Sequence, residues 1–534
     1  MILQITYNPK GVPMSKFSTT SKGRDTIINH EGAKAYRMSP ELELYSAVCT
    51  ASLEPKFYVP KTKDQIARLT ELVNKSDPVF VNKLAMYARH EMNMRSVPLV
   101  LLTELAKIGQ LNSDTVFNVI SRADEIVESL SYYQAANDRT GTKKLGKLSK
   151  SLQKGIKKVF ESGKFNEYHY AKYNRKTDIR LRDALFLTHP KPQNDEQEKL
   201  FKAIVSDELA TPETWETQLS AAGKTDGDKA VAKKETWERM IMDQKIGYMA
   251  LLRNLRNILE ANVSAETIEM ACAFLSNENA VRNSKQFPFR FLSAYKELAS
   301  NTCQINWTTE ETYPGVDSPY THYVLDALEK AALIAVNNIA MFSLDETVMV
   351  TCDTSGSMTL SLSERSKVSF MEIGVLMGML LQTRCKAVIT SVFGTSHKVI
   401  NLPSTNVLAN TINTLGIAGQ VGHCTNGHLT IQHLLDTKTK VSKVCMFTDL
   451  QLWTSGHNGS NLQREWAQYV KEINPDAKLY LFDLAGYGHA PLKIEGNVHL
   501  ISGWSEKVFG VLQTLETGGN VLEEIKSYEV PVKE

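Results

Sequence analysis

The spacing of apolar residues changes near residues 341–345, and this change constrains the fold more than any other feature of the chain. From Pro40 to about Ala340, apolar residues recur every three to four positions, which is typical of amphipathic helices. After residue 345, short apolar runs alternate with helical stretches, which predicts a doubly wound α/β sheet with helices on both faces. At 534 residues, the chain is also too long for a single hydrophobic core.

The first part predicts an array of short helices. Ser39-Pro40-Glu41 is a helix start, with a serine N-cap before a proline at the first helical position. Further helices are predicted over 64–75, 79–90, 97–108, 114–130, 195–206, 228–242, 247–261, 265–275 and 287–299. Many helices with short connections indicate an α-solenoid of the armadillo or HEAT type. We divide the chain into an arm (1–30), a helical array (31–343), an α/β domain (344–517) and a tail (518–534), a candidate for packing back on the helices.

The α/β part carries oxygen-bearing side chains at the ends of two predicted strands. Strands are predicted over 346–352, 386–393, 397–402, 443–448, 478–484 and 497–501, with helices near 362–383, 406–415, 427–437, 462–472 and 505–516. The candidate metal ligands are Asp353, Ser355, Ser357, Thr425 and Asp449. Mg²⁺ prefers such ligands, and open α/β sheets bind ligands at the carboxyl ends of their strands. The alternative is an aspartate helix cap in a serine-rich turn.

Other kinds of site have weaker support. His423, Cys424, His428 and His433 lie near Thr425, but their spacing matches no strong zinc pattern. The sequence contains no phosphate-binding Gly-Lys-Ser/Thr loop and no nucleophile motif. Two candidate carboxylates give one metal site, whereas a two-metal nuclease needs more. We therefore expect no enzymatic activity, with a metal-dependent ribonuclease as the alternative.

Positive charge is concentrated in one segment. The net charge is only +2, but residues 139–182 contain 14 Lys or Arg against 3 acids. Within this segment, the candidate RNA-binding residues are Lys143, Lys144, Lys147, Lys150, Lys154, Lys157, Lys158, Lys172, Arg175, Arg180 and Arg182. On a helix, the lysines would share a face suited to phosphates, and the nearby tyrosines could stack on bases. A solvated helix face followed by core tyrosines is the alternative. Arg253 and Arg256, in an apolar helix, are candidates either for single-stranded RNA or for salt bridges between helices.

The apolar runs, the first residues and the cysteines of the sequence bear on the cellular compartment. It has no run of 18 apolar residues, so no membrane span is expected, and its first residues lack a basic segment followed by a long apolar core, so no secretory signal is expected. The seven cysteines are odd in number and widely spaced, which favours reduced thiols in the cytoplasm.

Several local strings occur in a specific order. They are Asn29-His30-Glu31-Gly32, Met38-Ser39-Pro40-Glu41-Leu42, Met94-Arg95-Ser96-Val97-Pro98, Arg182-Asp183-Ala184-Leu185, His189-Pro190-Lys191-Pro192, the stretch 249–257, and Pro288-Phe289-Arg290-Phe291. Together they resemble the TROVE module of the Ro ribonucleoprotein autoantigen family, and we expect a bacterial or phage member. The triple pattern of candidate metal ligands resembles the metal-ion-dependent adhesion site of von Willebrand factor A domains. One departure is that Asn426 follows Thr425, where those domains usually carry aspartate.

The resemblance implies a ring of HEAT-like repeats whose two ends are joined by a von Willebrand factor A domain binding Mg²⁺. It implies a protein that binds small noncoding Y RNAs on the outer surface and single-stranded 3′ ends of misfolded RNA in the ring, alongside a 3′-to-5′ exoribonuclease. Because a ring closed within one chain needs no partner subunit, we expect a monomer. The family's Y RNA surface includes a histidine where this chain has Leu181, so no histidine is carried over. The alternative function is a metal-dependent protein-interaction scaffold without specific RNA.

Overall fold

The computed structural model describes residues 26–29, 32–51, 53, 60–137, 145, 147–174, 177–224, 227–299, 315–335, 346–362, 366, 368–385, 387–453, 461–504, 507–516 and 518–530. Over these ranges, the first part is helical and the second part is a sheet with helices packed on it, so the predicted fold class is confirmed. No helix within them has both the length and the apolar character needed to cross a lipid bilayer.

The helical array is built from short, well-capped helices. In the described part they are α1 (Pro40–Thr50), α2 (Pro60–Lys75), α3 (Pro78–His90), α4 (Ser96–Lys107), α5 (Ser113–Val119), α6 (Asp124–Ala136), α7 (Lys150–Glu161), α8 (Glu167–Tyr173), α9 (Leu181–Thr188), α10 (Asp195–Ser206), α11 (Trp215–Ala222), α12 (Lys229–Met242), α13 (Tyr248–Glu260), α14 (Ala265–Leu275), α15 (Glu278–Ser284), α16 (Pro288–Leu298) and α17 (Thr321–Ala335). Ser39 caps α1 as predicted, because its side chain accepts a hydrogen bond from the Leu42 amide. Helices close in sequence pack together, such as α3 on α4, α5 on α7 and α11 on α12.

The helix predicted over 114–130 is wrong. The stretch 114–130 is not continuous but forms α5 and α6. The carboxylate of Glu125 accepts hydrogen bonds from the amides of Ser121 (2.8 Å) and Arg122 (3.1 Å), and these bonds hold the connecting turn. Apolar spacing alone does not reveal such a turn, because residues on both sides face the same core.

The α/β domain is a six-stranded sheet between two layers of helices. Its strands are β3 (Thr347–Asp353), β4 (Ala387–Phe393), β5 (His397–Ile400), β6 (Lys443–Thr448), β7 (Lys478–Asp483) and β9 (Val498–Ser502), and its helices are α18 (Phe370–Gln382), α19 (Val407–Val421), α20 (His428–Asp436), α21 (Leu462–Glu472) and α22 (Val508–Glu516). The order is β5-β4-β3-β6-β7-β9, and only the edge strand β5 is antiparallel. Val348 and Met349, which alternate along β3, belong to separate cores on the two faces.

The α/β domain contacts both ends of the helical array. At the first end, α1 packs against β9, and the Ser46 hydroxyl donates to Asp483 Oδ2 at 2.6 Å. At the other end, α16 and α17 pack against α18 and α19. There Glu329 accepts hydrogen bonds from the amides of Leu408 (3.0 Å) and Ala409 (2.8 Å) at the start of α19. The domain therefore closes the array into a ring.

Both termini of the described chain pack on other parts of the molecule. Strand β1 (Thr26–Ile28) pairs with β2 (Lys34–Arg37), which pairs with β8 (His489–Ala490) of the α/β domain. Residues 1–25 of the predicted arm lie outside the described residues. The tail forms α23 (Val521–Ser527) against α3, and the Tyr528 hydroxyl donates to Glu91 at 3.0 Å. The tail therefore packs on the helical array.

Helix α7 approaches α5 so closely that Gly155 has no room for a side chain. A Cβ at this position would overlap the Val116 side chain and lie 2.8 Å from the Ser113 carbonyl oxygen. We expect Gly155→Ala to lower the free energy of unfolding by about 1–3 kcal/mol. The control is Gly510→Ala in α22, where nothing lies within 4 Å of the new methyl group and about 0.5–1 kcal/mol of stabilisation is expected. Urea unfolding measures both, and equal effects would contradict the close packing.

Candidate metal site and RNA surfaces

Three loops meet at the carboxyl edge of the sheet. Asp353 ends β3 and Asp449 follows the adjacent parallel strand β6. The first loop contacts the second through the Gly356 amide, which donates to the His423 carbonyl oxygen at 3.0 Å. The second loop contacts the third through the Trp453 amide, which donates to the Thr425 carbonyl oxygen at 3.0 Å. The structure therefore brings the predicted metal-ligand loops together.

The carboxylates of this site are buried and oriented by hydrogen bonds. Asp353 and Asp449 are both 0% exposed. Asp353 accepts from the Thr448 hydroxyl at 2.6 Å and from the Ser355 amide at 2.9 Å. Asp449 Oδ1 accepts from the Gln451 amide at 3.0 Å. The two acidic groups are thus held by the ends of their own strands and the turns that follow.

The remaining candidate ligands contribute hydroxyl groups. Ser355 is buried and Ser357 half-buried, with their hydroxyl oxygens 3.3 Å apart. Thr425 is 4% exposed, and its hydroxyl has no hydrogen-bond partner within the described ranges. A buried hydroxyl without a partner is unfavourable unless something satisfies it. These oxygens fit a hard divalent cation.

The electrostatics of the site also fit a cation. Burial, followed by the negative charge of Asp449, raises the pKa of Asp353, while hydrogen bonds from Ser355 and Thr448 lower it. Two buried carboxylates close together repel each other, and a divalent cation held by both would remove that repulsion. No three His, Cys, Asp or Glu residues in the described chain are grouped to share a metal, so the serine and threonine hydroxyls are needed to complete the donor set.

Some residues that support this site have no signal in the sequence. Gln451 follows Asp449 by two positions, and its side chain makes a 2.8 Å hydrogen bond with His489 of β8. Thr448, which orients Asp353, could have been found as the last residue of the predicted strand 443–448. His489 could not, because β8 is too short to produce a pattern.

Three large apolar side chains are exposed on or near these loops. They are Leu360, Trp453 and Tyr487, exposed by 52%, 42% and 41%.

The basic face is formed largely by α7. Lys150, Lys154 and Lys158 are exposed at successive four-residue intervals, and Lys147 is exposed just before the helix. The opposite face packs on α5, where Gly155 lies against Val116. The helical spacing of the lysines therefore does place them on one surface.

Some lysines of this segment are paired with acidic side chains and others are not. Lys158 pairs with Asp114 at 2.8 Å, and half-buried Lys157 lies 3.7 Å from Glu161. The ammonium groups of Lys147, Lys150 and Lys154 have no acidic partner among the described residues. Lys143, Lys144 and Arg175 lie outside them. Arg180 and Arg182 are half-buried and flank Leu181, which is 1% exposed and lies in the core.

Aromatic rings near the basic face divide into surface and core. Tyr168 is 45% exposed, and the Lys172 ammonium lies 5.7 Å from its ring centre. Tyr170 is 1% exposed and stacks on Phe160, so for this residue the core alternative is correct. Phe186, on α9 beside α7, is 58% exposed, and the sequence did not single it out because isolated apolar residues are common on surfaces.

The two arginines of α13 have different environments. Arg256 pairs with Glu260 at 2.8 Å and lies 3.5 Å from Glu297 of α16, which corresponds to the salt-bridge alternative. Arg253 is exposed and lies close to Arg290 of α16. Partial desolvation and then the charge of Arg253 lower the pKa of the Arg290 guanidinium. Two neighbouring cations of this kind favour an anion between them.

Comparison with known proteins agrees with this architecture. The TROVE domain family model matches residues 47–208 and 207–386. Telomerase protein component 1 of Mus musculus is 39% identical over 97 residues, and that of Rattus norvegicus is 41% identical over 90. These matches cover 18% and 17% of this chain but only 3% of each relative. The crystal structure of the Deinococcus radiodurans Ro (RSR) protein aligns with 90% of this chain and all of its own, with a TM-score of 0.57 and 16% identity, which shows a shared fold. Because the TROVE model covers more than half of its residues, the chain belongs to the TROVE domain family.

Proposed function

We propose that this chain is a non-catalytic RNA-binding scaffold whose outer basic surface holds a small structured noncoding RNA of the Y type. The observation that carries the proposal is the exposed row Lys147, Lys150 and Lys154, which has no acidic partner within the described chain. Such a concentration of positive charge attracts a polyanion. The exposed ring of Tyr168, next to Lys172, adds a surface on which an unpaired base stacks.

A second part of the proposal concerns single-stranded 3′ ends of misfolded RNA, which we assign to the ring. Arg253 and Arg290 support it, because they form a pair of neighbouring exposed cations on α13 and α16. In this proposal the protein is a monomer that presents such RNA to a 3′-to-5′ exoribonuclease. Its own closed ring needs no second subunit.

The third part concerns the metal site, which we propose holds Mg²⁺. Asp353 and Asp449, with the hydroxyls of Ser355, Ser357 and Thr425, would hold the ion, and an acidic residue of a partner protein would complete its coordination. The exposed Leu360, Trp453 and Tyr487 near this edge favour the second candidate function, a protein-interaction scaffold without specific RNA.

The salt dependence of RNA binding tests the first part. We expect the affinity of the wild-type protein for a small structured RNA to fall steeply between about 50 mM and about 200 mM salt. Replacing Lys147, Lys150 and Lys154 by alanine removes up to three phosphate contacts, so the slope of log K against log salt should decrease by roughly 2–3. Filter binding across this salt range measures both quantities.

The matched control replaces three exposed lysines of the α/β domain, Lys438, Lys440 and Lys471, by alanine. It removes the same charge from elsewhere and should leave the slope near that of the wild-type protein. If both triple variants change the slope equally, the basic face of α7 is not the RNA surface. If the wild-type protein binds no RNA at low salt, the protein-interaction function replaces the RNA-binding one.

A further inference from the structure

A cavity of about 850 Å³ lies between α11, α12 and α13. Its walls combine three kinds of side chain: the indoles of Trp215 and Trp237, the amides of Asn254 and Asn257, and the ammonium groups of Lys229 and Lys233. Neither the metal site nor the basic face of α7 includes these residues.

One wall of the cavity is aromatic. Trp237 is 3% exposed, whereas Trp215 is half-buried. Their rings are 19° from parallel, with centroids 6.3 Å apart. Trp215 therefore packs beside the buried Trp237 and borders the cavity with part of its indole uncovered. An uncovered indole face is a surface on which a planar base can stack.

The amides of the second wall are oriented by hydrogen bonds within α13. Asn254 is 4% exposed, and its Nδ2 donates to the Ala250 carbonyl oxygen at 2.8 Å. Its Oδ1 accepts from Asn257 Nδ2 at 3.0 Å, so the buried amide holds the exposed one. Asn257 retains its carbonyl oxygen and a second N–H, an acceptor and a donor side by side. This pair matches the hydrogen-bonding edge of a nucleobase.

The charges around the cavity suit a nucleotide. Glu216 and Glu260 also line it, but Glu260 pairs with Arg256 at 2.8 Å, and Lys229 and Lys233 are exposed at the rim. Arg253 lies one helical turn before Asn257 and so projects from nearly the same side of α13. A phosphate near Arg253 would therefore lie about one nucleotide away from a base in the cavity.

We propose that this cavity binds one unpaired nucleobase of a single-stranded RNA, stacked on Trp215 and hydrogen-bonded to Asn257. The proposal rests on the RNA-binding function proposed above and adds a base-recognition site to it. It places the path of the strand along α13, with its backbone towards Arg253.

The test compares two single strands of about 12 nucleotides, one of adenylate and one with abasic sugars and the same phosphates. We expect the wild-type protein to bind the base-bearing strand roughly 5- to 100-fold more tightly at equal salt. Trp215→Ala should remove most of this preference, Trp215→Phe should keep most of it, and Asn257→Leu should reduce it. Tyr323→Ala is the matched control, because this exposed aromatic residue lies on α17, away from the cavity.

The outcomes separate this proposal from the function on which it rests. If the wild-type protein binds both strands equally, the base site is overturned while RNA binding stands, and an aromatic side chain of a protein becomes the favoured occupant. If a folded Trp215→Ala protein or the Asn257→Leu protein retains the full preference, the base site is also overturned. If Trp215→Ala does not fold, Asn257→Leu alone decides. If neither strand binds, the RNA-binding function fails, and the base site fails with it.

Discussion

Asp353→Asn is expected to weaken Mg²⁺ binding strongly and at the same time to stabilise the metal-free protein. Asp353 and Asp449 are fully buried at the same edge of the sheet, and burial and mutual repulsion raise the pKa of Asp353. The asparagine removes one of the two negative charges but keeps an oxygen that accepts the Ser355 amide. The stabilisation should be on the order of 1 kcal/mol or more, since each unit of pKa elevation corresponds to 1.36 kcal/mol.

The loss of Mg²⁺ affinity should be large. Changes to residues that only orient a metal ligand typically weaken binding by about 10–100-fold, and we expect this effect for Thr448→Val, which removes the hydroxyl that donates to Asp353. Removing a ligand carboxylate should weaken binding by at least about 100-fold. Titration calorimetry with Mg²⁺ gives the affinities, and thermal unfolding in a chelator gives the stability.

Asp436→Asn is the matched control, because it makes the same change at an exposed position at the end of α20. It should alter neither quantity. A Mg²⁺ affinity of Asp353→Asn that stays close to the wild-type value would contradict the assignment of the ligands. A metal-free Asp353→Asn protein less stable than the wild-type protein would contradict the repulsion between the two carboxylates. RNA cleaved by the wild-type protein but not by Asp353→Asn would instead favour the ribonuclease alternative.

The sequence predicted the α/β part well because its signals are local. The helix predicted over 462–472 has the observed bounds, and the strand predicted over 443–448 ends at Thr448 as observed. The helix predicted from 362 begins instead at Phe370. There the Ser369 hydroxyl accepts the Glu372 amide and the Glu372 carboxylate accepts the Ser369 amide, a capping box that stops the helix from extending further back.

The helical array was harder to predict because several of its helices are short. α8, α11 and α15 have 7 or 8 residues, too few for a clear apolar period. The candidate sites also differ in how far the sequence could predict them. The strand ends at Asp353 and Asp449 could be read from the chain, whereas the cavity beside Trp215 depends on the packing of three helices.

The junction between α1 and the α/β domain depends on one buried carboxylate. Asp483, at the end of β7, is 0% exposed. Its Oδ2 accepts from the Ser46 hydroxyl at 2.6 Å, and its Oδ1 accepts from the amides of Gly486 (2.7 Å) and Ala485 (3.1 Å). The same turn approaches α1 closely, because a Cβ at Gly486 would overlap the Thr50 side chain. Asp483 therefore joins the turn after β7 to the first helix of the ring.

Asp483→Ala is expected to destabilise the protein by roughly 3–5 kcal/mol, because it leaves a hydroxyl and two amides buried without their acceptor. Hydrogen exchange should increase first in α1, where the ring and the domain separate. Asp483→Asn keeps an acceptor for the amides and should cost much less. Exchange that increases equally in α1 and in the distant α13 would mean that the carboxylate stabilises the whole fold and not this junction.

The difference in stability between the wild-type protein and Asp483→Asn should depend on pH. Burial raises the pKa of Asp483, although the hydrogen bonds from Ser46, Gly486 and Ala485 partly oppose it. The folded protein therefore binds this proton more readily than the unfolded chain, so stability is lost as the pH rises through the folded-state pKa. Relative to Asp483→Asn, the wild-type protein should gain stability as the pH falls from that raised pKa towards about 3.9, the ordinary value for aspartate. A stability difference between the two proteins that does not change with pH would show that the Asp483 carboxyl has the same pKa in the folded and unfolded chains.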